Sequence, residues 1–215
     1  MSRYTRYETL LRYPLDMGRP RLHDARTGST LIDEAEAIVE AEGLDALTVR
    51  RVAAAAGTTT RAVYTAFGSK EALVIALGAR GFDLLRESLE ALPETVDPAA
   101  DLVDAGVAVF RRFAIEHPTL FRISIQRALP DPDLFAGYVD AAREAMAVLH
   151  GRIARLEPGG QLGDRSVADA ATEFHALCEG LAALELRGML RAGEMERIWR
   201  DALAALVRGF AVPAP

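Results

Sequence analysis

Thr48-Val-Arg-Arg-Val-Ala-Ala-Ala-Ala-Gly-Thr-Thr-Thr-Arg-Ala-Val-Tyr-Thr-Ala-Phe-Gly-Ser-Lys-Glu-Ala-Leu73 is the stretch whose reading decides the fold. Thr48 is a good helix N-cap, and Val49, Val52, Ala53 and Ala56 then fall at i, i+3, i+4 and i+7, the single apolar stripe of a short helix. Gly57 ends that helix, because glycine can take the left-handed turn that follows a last helical residue. Thr58, Thr59 and Thr60 then offer hydroxyls to cap a second one. In the second helix Val63 and Phe67, four apart, point inward, while Thr60, Arg61, Tyr64 and Thr65 share the opposite side. Gly68 breaks it. Ser69 caps a third helix, with Glu71 placed where the positive helix end favours a carboxylate.

Two short helices joined by a glycine-containing turn have the geometry that sends the second helix into the major groove of DNA. Arginine makes the best bidentate contact with guanine, and threonine and tyrosine hydroxyls suit phosphates or base edges. Arg61 is therefore the leading candidate for base reading. A bundle of any function also contains helix pairs with glycine turns, so charge has to separate the two readings. Between residues 46 and 82 the basic residues are Arg50, Arg51, Arg61, Lys70 and Arg80, against Glu71 alone, in a chain of net charge -6. A basic island on an acidic protein is an electrostatic footprint for phosphate.

Residues 30 to 77 resemble the DNA-binding domain of the tetracycline-repressor (TetR) family of bacterial transcription regulators. The resemblance rests on a helix ending Glu42-Gly43, on the stretch quoted above, and on the pattern Tyr64, Phe67, Lys70, Glu71, Leu73. It implies a homodimer that binds a palindromic double-stranded DNA operator, usually as a repressor released by a small-molecule effector. It also implies that Thr48, Tyr64 and Lys70 touch phosphates and that Thr59, Thr60 and Arg61 lie at the front of the reading helix. With Arg50, Thr58 and Thr65 these make the expected DNA-binding set. One departure is visible: the residue before Phe67, often a phosphate-binding histidine in the family, is Ala66.

The predicted fold is all-α, with a three-helix helix-turn-helix domain over residues 27–75 and a helical ligand-binding and dimerisation domain over 76–215. Residues 1–26 read as a basic, tyrosine-bearing arm interrupted by Pro14, Gly18 and Pro20. Such arms can lie in an adjacent minor groove, and a segment without a role fits the same composition. The first helix is expected from Ser29 to Glu42, with Ser29 or Thr30 as cap and Leu31, Ala35, Ile38 and Val39 as its buried stripe. A longer helix from Ser69 to Leu92 links reader to body. Its Gly78 and Gly81 each cost roughly 1 kcal/mol relative to alanine, so they mark a bend or a close approach.

Beyond a linker from Pro93 to Pro98, helices are predicted over 99–116, 119–126, 133–156, 164–191 and 194–211. A turn, Leu129-Pro-Asp-Pro-Asp133, launches the third of these, and Phe135 begins its inner face. No strand pattern appears. The last two helices are apolar around much of their girth, with Ala168, Ala176, Leu177, Gly180, Ala183 and Leu184 on the first of them. Such a helix must be covered on more than one side. The resemblance implies a dimer interface there, and a central helix of a monomer is the other reading.

Phe110, Phe113, Phe121, Tyr138, Met146 and His175 are the large side chains available to line a pocket in the body, or else they are plain core. Arg122, Gln126, Arg143 and Glu179 are the polar partners considered. No metal-binding histidine pattern, nucleophile elbow or phosphate loop occurs, so neither an enzyme, a metal nor a cofactor is expected. The single cysteine, Cys178, excludes an intrachain disulfide framework and fits a reducing cytoplasm. No apolar run approaches the roughly 20 residues of a membrane helix. A helical small-molecule or lipid carrier without DNA binding remains the alternative from another class.

Overall fold

The computed structural model describes residues 22–126 and 136–211. Among these residues every regular element is helical. The head comprises α1 (Leu22–Glu42), a 3-10 turn (Leu44–Ala46), α2 (Val49–Ala55) and α3 (Thr60–Phe67), and α4 (Lys70–Ala91) runs from it into the body. The body adds α5 (Pro98–Asp104), a π-helical segment (Ala105–Arg111), α6 (Arg112–Glu116), α7 (Pro118–Phe121) and a second π segment (Arg122–Gln126). Three longer helices complete it: α8 (Ala136–Ala154), α9 (Val167–Leu186) and α10 (Met195–Phe210). The turn expected at Leu129–Asp133, Phe135 and residues 1–21 of the expected arm lie outside the described residues.

The helix ends of the head follow local chemistry. The hydroxyls of Thr48, Thr59 and Ser69 accept hydrogen bonds from the backbone N–H of Arg51, Ala62 and Ala72, at 3.2, 3.3 and 3.0 Å. Gly57 and Gly68 close α2 and α3 with φ of 61° and 75°, which a side chain would make costly. Leu31, Ala35 and Val39 of α1 are fully buried against Leu47, Val52 and Val63. The start of α1 departs from the sequence reading. It lies at Leu22, so residues 22–26 are helical and not arm, and Ser29 and Thr30 sit inside the helix. No proline occurs between Leu22 and Glu42, and Gly28 alone, at roughly 1 kcal/mol, does not stop a helix that packing holds.

Head and body are joined through α1 as well as α4. The Glu40 carboxylate accepts hydrogen bonds from the backbone N–H of Leu120 at 2.8 Å and Thr119 at 3.4 Å, at the start of α7. Arg80 on α4 donates to Glu36 at 3.3 Å. The same Glu36 lies 3.8 Å from Nδ1 of His117. Gly78 and Gly81 serve close approach. Ser124 Oγ donates to the Gly78 carbonyl at 2.9 Å, and the Tyr138 hydroxyl donates to the Ser124 carbonyl. A Cβ on Gly81 would sit 2.1 Å from Ser124 Oγ and 3.2 Å from the Phe113 ring. Gly81→Ala is expected to cost about 1 kcal/mol, the low end for overpacking, since the serine rotor can yield by giving up its bond. Chemical denaturation measures it.

The linker is pinned by Asp101, which is 4% exposed. Its carboxylate accepts from Thr95 N at 2.8 Å, Thr95 Oγ1 at 2.6 Å and Arg155 Nη1 at 2.7 Å. Burial alone would raise its pKa, but the Thr95 hydrogen bonds and the Arg155 guanidinium outweigh it and bring the value from 3.8 to about 2. A folded-state pKa below the unfolded one contributes stability that is complete above pH ~4 and is lost as pH falls toward 2, a loss of about 2 kcal/mol. Acid unfolding of Asp101→Asn alongside the native chain should show the native protein losing more stability across that window.

Candidate DNA interface and effector cavity

The short α3 presents one polar face to solvent. Thr60, Arg61, Tyr64 and Thr65 are exposed, Tyr64 by 53%, while Val63 is buried and Phe67 half-buried behind them. Thr58 is half-buried in the turn, its N–H donating to the Ala53 carbonyl at 2.8 Å. Thr48 and Thr59 use a lone pair each on their caps and keep their hydroxyl protons for another acceptor. The cations of the basic island divide in two. Arg51 forks onto the Glu42 carboxylate and reaches the Ala46 carbonyl at 3.3 Å, and Arg80 is held by Glu36. These two brace α1 against α2 and α4. Arg50, Arg61 and Lys70 make no ion pair among the described residues and are exposed, which leaves their charge for an outside anion. The sequence reading names Arg50 and not Arg51 for the DNA-binding set, but the pairing of Arg51 with Glu42, nine positions away across a turn, is not legible in it.

In the body a small cavity of about 30 Å³ lies between the helices. Its walls are Leu85 and Leu89 from α4, Ala105, Val109 and Phe110 from the first π segment, Leu149 from α8, and Phe174 and His175 from α9. Of the six predicted lining residues, Phe110 and His175 meet here, their rings edge to face at 5.5 Å. Phe121 stands behind, edge to face with Phe110 at 6.0 Å. Phe113 lines an outer groove with His117, Tyr138 is turned onto Ser124 and Phe82, and Met146 is half-buried outside the cavity wall. Of the polar partners considered, Arg122 and Gln126 are exposed and Arg143 pairs with Asp140. The leucines of α4 were missed as lining residues. Their period marks a buried stripe without saying what lies opposite.

His175 is the polar group of the cavity wall. Burial pushes its pKa down, and Glu179, 3.9 Å from Nε2, opposes that only in part. Cys178, fully buried on the same helix, has its thiol pushed above the ordinary range by burial and is inert. Among the described residues no cluster of metal-ligating side chains occurs, and no helix is long and apolar enough to cross a membrane.

Residues 31–77 match the family model for bacterial regulatory proteins of the tetR family, and residues 103–206 match that of the tetracyclin repressor-like C-terminal domain. Among solved structures, the chain is similar to a protein of unknown function from Rhodococcus sp. RHA1, 24% identical, with a TM-score of 0.76 over 94% of this chain and 100% of that one. It is similar to the TetR family transcriptional regulator PfmR from Thermus thermophilus, at 21% identity and a TM-score of 0.60 over 83% and 97% of the two chains. A third is the transcriptional regulator FadR from Bacillus subtilis in complex with stearoyl-CoA, at 17% identity and a TM-score of 0.66 over 84% and 98%. At these identities the structures establish a shared fold. No curated protein matches the chain in sequence. With the reading head and most of the body each matched to its own model, the chain belongs to the tetR family of bacterial transcription regulators, which pair a DNA-binding helix-turn-helix with a ligand-binding C-terminal domain.

Proposed function

We propose that this protein is a repressor that binds a palindromic operator as a homodimer and is released by a small molecule bound in the body. The observation that carries the reading is the exposed face of α3, which bears Arg61, Tyr64 and Thr65, with Arg50 on α2 and Lys70 on α4 likewise exposed and without an ion pair among the described residues. In this reading Arg61, with Thr59 and Thr60, enters the major groove, and Thr48, Arg50, Thr58, Tyr64, Thr65 and Lys70 hold phosphates. Dimerisation through α9 and α10 is supported by the outward side of α9, where Ala168, Ala176 and Gly180 are exposed and Leu177 and Leu184 half-buried. Small side chains there let a second copy approach closely. Work on chromosomal DNA places the protein in the bacterial cytoplasm.

Effector and operator must weaken each other equally, because only differential affinity for two spacings of the reading heads drives release. α4 is the mechanical link, since it forms one wall of the cavity and carries α3 at its start. The test is binding to duplex DNA flanking the protein's own gene, against a scrambled duplex, over a salt series. Preferential binding whose log affinity falls steeply with log salt is expected. Equal, feeble binding to both duplexes and to a randomised pool of duplex sites contradicts the reading.

A further inference from the structure

We infer that the cavity between α4, the first π segment, α8 and α9 takes an uncharged, ring-sized apolar molecule bearing one hydrogen-bonding group, which His175 holds. The inference rests on the reading of that cavity as the effector site and adds the chemistry of the effector. Its wall carries no charged side chain. Arg111 is locked onto Glu185 by bonds of 2.8 to 3.2 Å, and Arg152, which bonds the carbonyls of Leu89 and Leu92 through Nη2 and leaves Nε and Nη1 without a partner among the described residues, lines a separate groove with Leu92, Pro93 and Gly151. An ionised ligand would lose its hydration here and find no charged group in the wall, Glu179 being 3.9 Å from His175 Nε2 and no part of that wall, a cost that disfavours free carboxylates and amines. His175 is left as the one polar contact. Its burial favours the neutral imidazole, which offers one donor and one acceptor and matches a single hydroxyl, amide or carbonyl group.

Size sets the second condition. The cavity of about 30 Å³ has room for little more than a water, whereas an apolar cavity of roughly 150 Å³ accommodates benzene. One wall can move. Phe110 meets His175 and Phe121 only edge to face, at interplanar angles of 87° and 83°, and belongs to the π segment Ala105–Arg111. A π turn carries one more residue than an α turn, so tightening it re-registers Phe110 and frees the volume of its ring. A molecule seated there presses on Leu85 and Leu89 of α4, the helix that carries the reading head.

The test measures binding of four matched probes, toluene, benzyl alcohol, benzoate and benzylamine, to the purified full-length protein by calorimetry. Toluene and benzyl alcohol should bind saturably, the alcohol roughly 2- to 12-fold tighter, the worth of one hydrogen bond. Benzoate and benzylamine should bind at least 10-fold more weakly than the alcohol. His175→Leu should abolish the alcohol's advantage and leave toluene binding unchanged, whereas His175→Gln, which keeps a polar group, should retain part of it. The inference is overturned if an ionised probe matches the alcohol, if neither neutral probe saturates, or if the preference survives His175→Leu. DNA binding assayed on the same protein separates the two readings. Neutral probes that bind without weakening DNA binding would sink the release mechanism and leave the pocket chemistry standing, and intact DNA binding without probe binding would do the reverse.

Discussion

Trp199→Ala is expected to lower the unfolding free energy by about 3–5 kcal/mol, the cost of removing a buried aromatic whose site cannot collapse. Trp199 is the only tryptophan, and its side chain is fully buried in α10. Its indole Nε1 donates to Glu185 Oε2 at 2.8 Å, and Arg111 grips the same carboxylate. Three segments therefore meet at Glu185: the end of the π segment, the end of α9, and α10. Removing the ring empties the space between them, and Glu185 keeps one of its two partners. Trp199→Phe separates the terms: it keeps most of the apolar volume and loses the bond to a charged acceptor, worth about 1.5–3 kcal/mol. Urea unfolding followed by circular dichroism at a fixed protomer concentration measures both, the concentration being held because association contributes to apparent stability. A cost below about 1 kcal/mol for the alanine variant would show that the cluster does not hold the three segments together.

How much of this was legible in the sequence depended on the range of the interaction. The caps at Thr48, Thr59 and Ser69 and the glycine turns at Gly57 and Gly68 are settled within three or four residues, and the structure has them where the residue types put them. Pro98 and Pro118 open helices one residue before the predicted starts at 99 and 119, their missing N–H being one a helix start leaves unbonded anyway. The start of α1 was misplaced because nothing local marks it: the polar run from His23 to Thr30 carries no apolar period, and the helix continues through it. The π segments left no trace either, since Ala105–Arg111 keeps an ordinary apolar stripe and its widening answers to packing. Gly106 shows that pressure: a Cβ there would lie 2.4 Å from Leu203 on α10. The cavity was half legible. The stripe bearing Phe110 and the helix bearing His175 could be read, but which side chains face each other is decided by helix crossings. That is why Phe113 and Tyr138, equally apolar in sequence, ended on other surfaces.

Arg61→Ala and Lys70→Ala should separate reading from holding on the DNA face. Both side chains are exposed cations with no ion pair among the described residues, so neither substitution disturbs a salt bridge within the protein. Arg61 stands in the first turn of α3, the end that points toward the bases when such a helix enters the major groove. A bidentate arginine contact distinguishes the correct base by about 1–3 kcal/mol, so Arg61→Ala should cost roughly 5- to 150-fold on the preferred duplex and flatten the preference at one base position in each half-site. Lys70 is the exposed first residue of α4, beside its cap Ser69, and a point charge on a flexible stem suits a phosphate. Lys70→Ala should therefore weaken all duplexes alike and reduce the slope of log affinity against log salt by about 1 per protomer. Arg51→Ala is the internal control. Its guanidinium is spent on Glu42, so its loss should lower the stability of the head and leave the salt slope nearly unchanged. Competition binding against single-base variants of the site, at two or more salt concentrations, reads all three. If Arg61→Ala and Lys70→Ala change affinity, specificity and salt slope in the same way, the division between a base-reading helix and a phosphate-holding lysine is wrong, and the exposed face of α3 recognises DNA through its backbone alone.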